Sequence, residues 1–424
     1  MSALTGMLED YQIPKVARIR QHFDRTVLEN PREHLLRQLS GAHIPVKRGD
    51  RIAITGGSRG IAEYRTVMKA VVDYLKSAGA VPFIVPAMGS HGGATAEGQK
   101  KMLCNLGISE ETVGAPVLSS METVEVSRTD FGLPVYIDKN AFEADGIVLL
   151  NRVKTHTSIR EEYQSGLLKM MAIGLAKHKG AAMTHSLGPV NLGPNMVRVG
   201  KEALKHLKVV CGVALIENGY EQLADTYVLR KDQILEEEPK ILKRAISMIP
   251  QLPLRSLDCL IVYELGKDVS GTGMDPAIIG RPINRRPNEG PEIKKIGVLR
   301  ITPKSNGNAS GCGLADFISE RMRRQINEEA TMINCLTGMH PSIARIPATM
   351  PTDRLVFQGC LKTCGKLSTD EIRLAIVQST KALETIYLSK AAVEAVEDRS
   401  KIELCSDFAG VPFDDAGTLQ LYGF

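Results

Sequence analysis

Short apolar runs rich in β-branched residues alternate along the chain with stretches whose apolar positions recur every three to four residues. The runs 51–55 (RIAIT), 81–86 (VPFIVP), 146–151 (GIVLLN), 209–216 (VVCGVALI), 257–263 (LDCLIVY) and 296–302 (IGVLRIT) read as buried strands. Between the first two, Tyr64, Val67, Met68, Val71, Val72 and Leu75 follow the spacing of an amphipathic helix, which Gly79 closes. Strand, polar loop, helix and second strand make a parallel unit. Its repetition predicts an α/β fold of two α/β domains with mainly parallel sheets. Two prolines in 248–255 (MIPQLPLR) separate a helical stretch from a new buried strand, which places the domains at 1–252 and 253–424. The pattern over 370–389 reads as a late helix.

In open parallel sheets ligands bind beyond the carboxyl ends of the strands. Four expected strands end in polar loops, three of them glycine-containing: 56–60 (GGSRG), 89–93 (GSHGG), 151–156 (NRVKTH) and 263–267 (YELGK). They point to one shared active site at the domain interface. Composition narrows the partners. Lys and Arg number 53 against 48 Asp and Glu, a net charge of +5 spread over 424 residues, too dilute for a nucleic-acid footprint. Trp is absent and aromatic residues are 4%, so base-stacking platforms are poorly supplied. No apolar run approaches the roughly 18 residues of a membrane span, and the first residues lack the pattern of a signal peptide. The eight Cys include no C-x-x-C pair and read as reduced thiols of a cytoplasmic protein. Neither nucleic acid nor membrane is expected as a partner.

The loop 55–62 (TGGSRGIA) resembles a dinucleotide-binding turn, and Tyr263 with Lys267 supplies the Tyr-x-x-x-Lys pair of an NAD(P)-dependent short-chain-type dehydrogenase. Against that reading, Tyr263 ends an apolar strand and Gly266 interrupts the residues after it, whereas the pair needs one helix face. The plainer reading is an anion-binding turn in which backbone N–H groups and Arg59 meet a phosphate or carboxylate; a non-enzymatic anion-binding protein is a further alternative. Lys169 is the sharper anomaly, the sole polar side chain in 166–176 (GLLKMMAIGLA). A lysine held among apolar residues tends toward a depressed pKa and a nucleophilic amine, unless its stem lies along apolar surface and its head reaches water. His185 comes sixteen residues later, and His91 and His156 sit on strand-end loops. The cluster Lys177-His178-Lys179 reads as a solvated helix end, and Cys360 with Cys364 lacks the companion pair of a zinc site.

The ordered set of the His91 loop, His156, Lys169 and His185, with Ser58-Arg59 upstream and Glu264-x-x-Lys267 downstream, resembles the nickel-pincer lactate racemase family over about residues 50–270. The resemblance implies a racemase or epimerase of a small 2-hydroxy acid. It implies nickel carried by a nickel-pincer nucleotide (pyridinium-3-thioamide-5-thiocarboxylic acid mononucleotide) attached to Lys169, and cofactor-synthesis proteins as partners. His185 would be the nickel ligand, and His91 and His156 the acid/base pair. Gly57, Ser58 and Arg59 would face the cofactor, and Arg59, Lys267 and Glu264 the substrate. Imidazole suits nickel, and acylation removes the lysine charge that an apolar setting disfavours. Gly56 stands where the family usually has Asp, Gly92 where a basic residue often follows the loop histidine, and Glu264 in place of Gln. The step from His156 to Lys169 is also longer than in lactate racemases. These departures argue against lactate itself as the substrate.

Overall fold

The residues described in the computed structural model are 3–156, 159, 161–185, 188, 190–281, 283 and 290–421, without the side chains of Leu4 and His185. The chain divides into two compact units, Asp24–Ile249 and Met1–Phe23 together with Pro250–Phe424. The second break falls inside the proline-bearing stretch 248–255. The first corrects the expected partition 1–252 and 253–424, because the initial 23 residues leave the N-terminal half. Strand β1 (Val16–Gln21) pairs antiparallel with strands close to the C-terminus and buries Val16, Ala17 and Ile19 there. A six-residue strand carries its face in its own alternation, but nothing local names the sheet it joins.

The unit Asp24–Ile249 contains β2 (Arg51–Gly56), β3 (Val81–Pro86), β4 (Thr123–Arg128), β5 (Pro134–Asp138), β6 (Gly146–Arg152), β7 (Val209–Glu217) and β8 (Leu223–Leu229). Its main sheet runs β3-β2-β6-β7-β8, parallel except for β8, while β4 and β5 form a separate antiparallel ribbon. β7 is buried over eight of its nine residues, as a strand covered on both faces must be. Alternate residues feed two cores. Ile52, Ile54, Val148 and Leu150 pack with the Val67, Val71 and Leu75 stripe of helix Tyr64–Ser77. Ala53, Leu149 and Ala214 pack with Met196, Val199 and Ala203 of helix Leu192–His206. Each fully buried Val or Leu of these stripes contributes roughly 1.5–3 kcal/mol, so the two helices are fixed on opposite faces. The loops beyond the strand ends are thereby left to bind.

In the other unit, β9 (Ser256–Leu265), β10 (Glu292–Ile301), β11 (Phe317–Ser319), β12 (Ala348–Met350), β13 (Leu374–Val377), β14 (Thr385–Ser389) and β15 (Ile402–Leu404) join β1. Among the described residues the order is β12-β11-β10-β9-β13-β14-β1-β15, parallel from β12 through β13 and antiparallel beyond. The helix expected over 370–389 is instead β13, a turn and β14. All four residues of β13 are buried, and a run that short fits a strand or a helix equally well by periodicity. Pairing with β9 on one side and β14 on the other decides it. The fold is thus α/β with mainly parallel sheets. No described helix is long and apolar enough to cross a membrane.

Candidate functional site

Within Asp24–Ile249, the loops after β2, β3 and β6 surround a pocket of about 610 Å3, part of it open to solvent. Gly57, Ser58 and Arg59 come from the first loop and Met88 and His91 from the second. Asn151, Arg152 and Lys154 belong to the third, and Lys169, Met170 and Ile173 to the segment after it. Arg59, Arg152, Lys154 and Lys169 line it, and no carboxylate does among the described residues. A concave site with cations of one sign focuses a field that draws in anions. Arg152 is partly neutralised by an ion pair with Glu217.

Lys169 ends the short helix Leu167–Lys169 and is followed by a π-helical turn, Met170–Gly174, a geometry frequent at functional sites. Leu167, Leu168, Met170 and Met171 are buried around it, leaving the amine only a partial opening into the pocket. Burial first, then the charges of Lys154 and Arg59, lower its pKa to about 8. Two groups hold this turn. Asn151 Nδ2 donates to the Gly166 carbonyl at 2.8 Å, and the Leu168 N–H donates to Glu238 Oε2 at 3.0 Å. A Cβ on Gly166 would run into the Glu238 carboxyl, so the close approach requires glycine.

Glu238 is 1% exposed, and burial pushes its pKa up to about 8, against an ordinary value of 4.5. Between those pH values the unfolded chain has released this proton while the folded chain keeps it. Folding stability therefore falls as pH rises through the window, by an amount on the order of a few kcal/mol. Denaturant unfolding of Glu238→Gln, whose amide oxygen still accepts from Leu168, is expected to match the wild type near pH 4.5. By pH 8 the variant is expected to be the more stable of the two. Parallel profiles would mean that the carboxyl does not keep its proton on folding.

The two loop histidines differ in what their rings accept and donate. His91 Nδ1 lies 2.7 Å from the Met88 carbonyl, so the neutral ring carries its proton on Nδ1 and a lone pair on Nε2. Much of the residue's surface is open, yet protein atoms crowd the ring, and this desolvation lowers its pKa. The Met88 carbonyl opposes that shift, while Arg59 and Lys169 add to it. His156 instead accepts at Nδ1 from the Ile159 N–H at 3.1 Å, which places the proton of its neutral ring on Nε2. Its own N–H donates to Gln164 Oε1 at 2.9 Å. His156 follows Lys154 by two residues but is not itself among the pocket-lining residues.

Other expected positions fall out differently. The Gly57 N–H donates to Tyr64 Oη at 2.7 Å, so Gly57 lines the pocket with its amide already committed. The Ala62 N–H donates to Glu217 Oε1 at 2.7 Å, and the carboxylate Glu63 occupies the N-cap of helix Tyr64–Ser77. A dinucleotide turn needs those N–H groups and no negative charge there, so the helix start opposes the dehydrogenase reading. Tyr263 lies on β9 and Lys267 beyond its end, in the other unit and not on one helix. There Lys267 Nζ donates to Asn334 Oδ1 at 2.6 Å and to the Gly271 carbonyl, and Glu264 Oε1 accepts from Gln378 Nε2 at 3.5 Å. His185 closes helix Lys177–His185, and its side chain, the expected nickel ligand, lies outside the described residues. Among the described residues no three His, Cys, Asp or Glu stand together as a metal site.

Sequence reasoning placed the loop 151–156 at the site but gave its Asn151 and Lys154 no role, missed Glu238, and misread Lys177. His178 and Lys179 are exposed, as a solvated helix end should be, but Lys177 is fully buried against Asp138, with Nζ 3.0 Å from Oδ2. Its position directly after the apolar run 166–176 and before Gly180-Ala181-Ala182 was the available signal.

Residues 6–193 match the family described as lactate racemase N-terminal domain. That span includes His91, His156, Lys169 and His185 and stops short of Glu264 and Lys267. No curated protein matches the chain in sequence. Among solved structures, a protein from Thermotoga maritima is 14% identical with a TM-score of 0.48, over 82% of this chain and 88% of its own. The lactate racemase apoprotein from Thermoanaerobacterium thermosaccharolyticum is 12% identical with a TM-score of 0.45, over 91% and 93%.

Proposed function

We propose, from the premise that residues 6–193 belong to the lactate racemase N-terminal domain family, that the chain is a racemase or epimerase of a small 2-hydroxy acid. In this reading it works with a nickel-pincer nucleotide tethered to Lys169. The carrying observation is the Lys169 amine, with its pKa lowered to about 8, in a cation-lined pocket that also contains His91. The residues fit such a group. The pocket is concave and open to solvent, its cations suit a phosphate, and the amine is dry enough to be acylated. His185 is the proposed protein ligand to nickel.

When bound, that nucleotide supplies a hydride acceptor and donor at its ring. This chain's own residues would do the rest. Arg59 and Lys154 hold anionic groups at the pocket wall. His91, with its lone pair on Nε2, takes the hydroxyl proton, and His156 serves the opposite side of the substrate. Inversion needs proton transfer on both sides of the carbon, so the two are not interchangeable. Lys267 is proposed to meet the substrate carboxylate. Glu264, three residues earlier in the chain, is proposed to favour a hydroxyl-bearing tail over a second carboxylate.

The test uses protein from a cytoplasm that makes the cofactor, since loading depends on the cofactor-synthesis proteins. Chiral chromatography of a 2-hydroxy acid panel is expected to show interconversion of antipodes without net oxidation, together with nickel in the protein. Reversible NAD(P) binding with net oxidation would install a dehydrogenase instead. Anion binding with no turnover, from nickel-loaded protein, would leave only a binding protein.

A further inference from the structure

The ammonium of Lys177 is fully buried and lines no part of the pocket, and the ion pair with Asp138 does not exhaust what it touches. Nζ also donates to the Pro86 carbonyl at the end of β3 and, at 3.3 Å, to Gln99 Oε1 on helix Ala96–Asn105. An ammonium has only donors, so the Gln99 amide must turn its oxygen toward it and its NH2 away. That NH2 then donates to the Gly89 carbonyl at 2.8 Å and the His91 carbonyl at 3.2 Å. Gln99 is 0% exposed, so no water competes for these bonds.

The loop is pressed onto the same helix. Gly92 has φ +65°, and a Cβ there would stand 2.7 Å from the Gln99 backbone nitrogen. On its other side the Gly89 N–H donates to the Gly174 carbonyl, at the end of the π turn after Lys169. Lys177 itself has φ +54°, a left-handed conformation uncommon for a lysine and retained only where surroundings over-determine it. A salt bridge kept for stability alone would need neither that backbone nor the amide relay.

We propose that Lys177 and Gln99 are positioning residues for His91: the buried ammonium fixes the orientation of the Gln99 amide, and the amide clamps the loop so that the His91 ring stays bonded to the Met88 carbonyl with Nε2 toward the pocket. The value of this to turnover rests on the proposed racemase reading. The geometry at His91 does not, and the experiment separates the two.

The readout is the tautomer of His91 in 15N-labelled protein at a pH where its ring is neutral, with the signal assigned by comparison with His91→Ala. Wild type is expected to show the proton on Nδ1. Gln99→Leu keeps the helix and the volume but has no donor for the loop, and mixed tautomers are expected. Lys177→Met alone would strand a buried carboxylate, so the pair is removed together in Lys177→Met/Asp138→Asn. The amide oxygen introduced at position 138 can still accept from the Ala141 N–H, as the Asp138 carboxylate does. This double variant is expected to shift the His91 tautomer in the same direction. In loaded enzyme Gln99→Leu should lower kcat about tenfold or more, with KM and cofactor content little changed. An unaltered His91 tautomer in both variants overturns the proposal. Loss of cooperative folding in both does so as well, because the network would then be a core element and not a clamp. A tautomer shift in a protein whose loaded wild type inverts no hydroxy acid would keep the clamp and remove the racemase reading.

Discussion

Lys169→Met is expected to fold at least as stably as the wild type, to carry no mass adduct after expression in a cofactor-producing host, and to show no racemisation. The three results follow from one feature. Among Leu167, Leu168, Met170 and Met171 the ammonium form is disfavoured, and Lys154 and Arg59 repel it further. With the pKa near 8, about a tenth of the amine is neutral at pH 7, against well under one part in a thousand for an ordinary lysine. Only the neutral amine attacks a carbonyl or thiocarbonyl carbon, so the site favours acylation by roughly two orders of magnitude before any alignment is counted. Loading rate should climb about tenfold per pH unit below 8 and level off above it. The stability consequence has its own sign. The folded pKa is depressed below the unfolded 10.5, so the charged lysine destabilises the apo fold below pH 8, and that penalty is relieved as pH rises toward 10.5. Methionine, close in volume and uncharged, lacks the penalty. Intact mass, chiral turnover and denaturant unfolding check the three outcomes. An adduct persisting in Lys169→Met would move the anchor elsewhere.

How much of this could be read along the chain depends on the range of the signal. Every strand expected before residue 302 is present, because buried parallel strands announce themselves as unbroken apolar runs. The Tyr64–Ser77 helix is equally plain from its stripe. The late helix over 370–389 fails because β13 is too short for periodicity to decide, and the edge that claims it lies more than a hundred residues away on β9. β1 fails for the same reason at the other end of the chain. At the site, Lys169 and Arg59 were legible from local contrast, an amine in an apolar run and a guanidinium in a glycine-rich loop. Glu238 and Gln99 were not. Each looks like an ordinary helical polar residue until the fold brings Leu168 to one and Lys177 to the other. Groups that act on the ligand tend to break a local pattern, whereas groups that hold them in place need only be complementary to something distant.

His91→Ala and His156→Ala should each depress inversion by about two to four orders of magnitude, the usual contribution of a positioned acid or base, while adduct and nickel remain. His185→Ala is expected to lower nickel content. The two loop variants should also differ from one another. His91 is the ring with its lone pair on Nε2 in the neutral state, and desolvation, Arg59 and Lys169 keep it neutral below its ordinary 6.5. A base with a depressed pKa stays competent as the medium acidifies, so in the direction that starts from the antipode whose hydroxyl proton His91 takes, the acid limb of kcat/KM in the wild type should lie below pH 6.5. Acylation removes the Lys169 charge, one of the cations acting on that ring, but leaves desolvation and Arg59, so the limb should stay on that side in the loaded enzyme. His156 meets a backbone donor at Nδ1 and enters as the partner that holds a proton on Nε2. Loss of His91 should therefore remove the acid limb together with the rate, and loss of His156 should leave the limb visible in whatever activity survives. Inversion at wild-type rate in either variant, or an acid limb that moves only in His156→Ala, would reverse the assignment of the two rings.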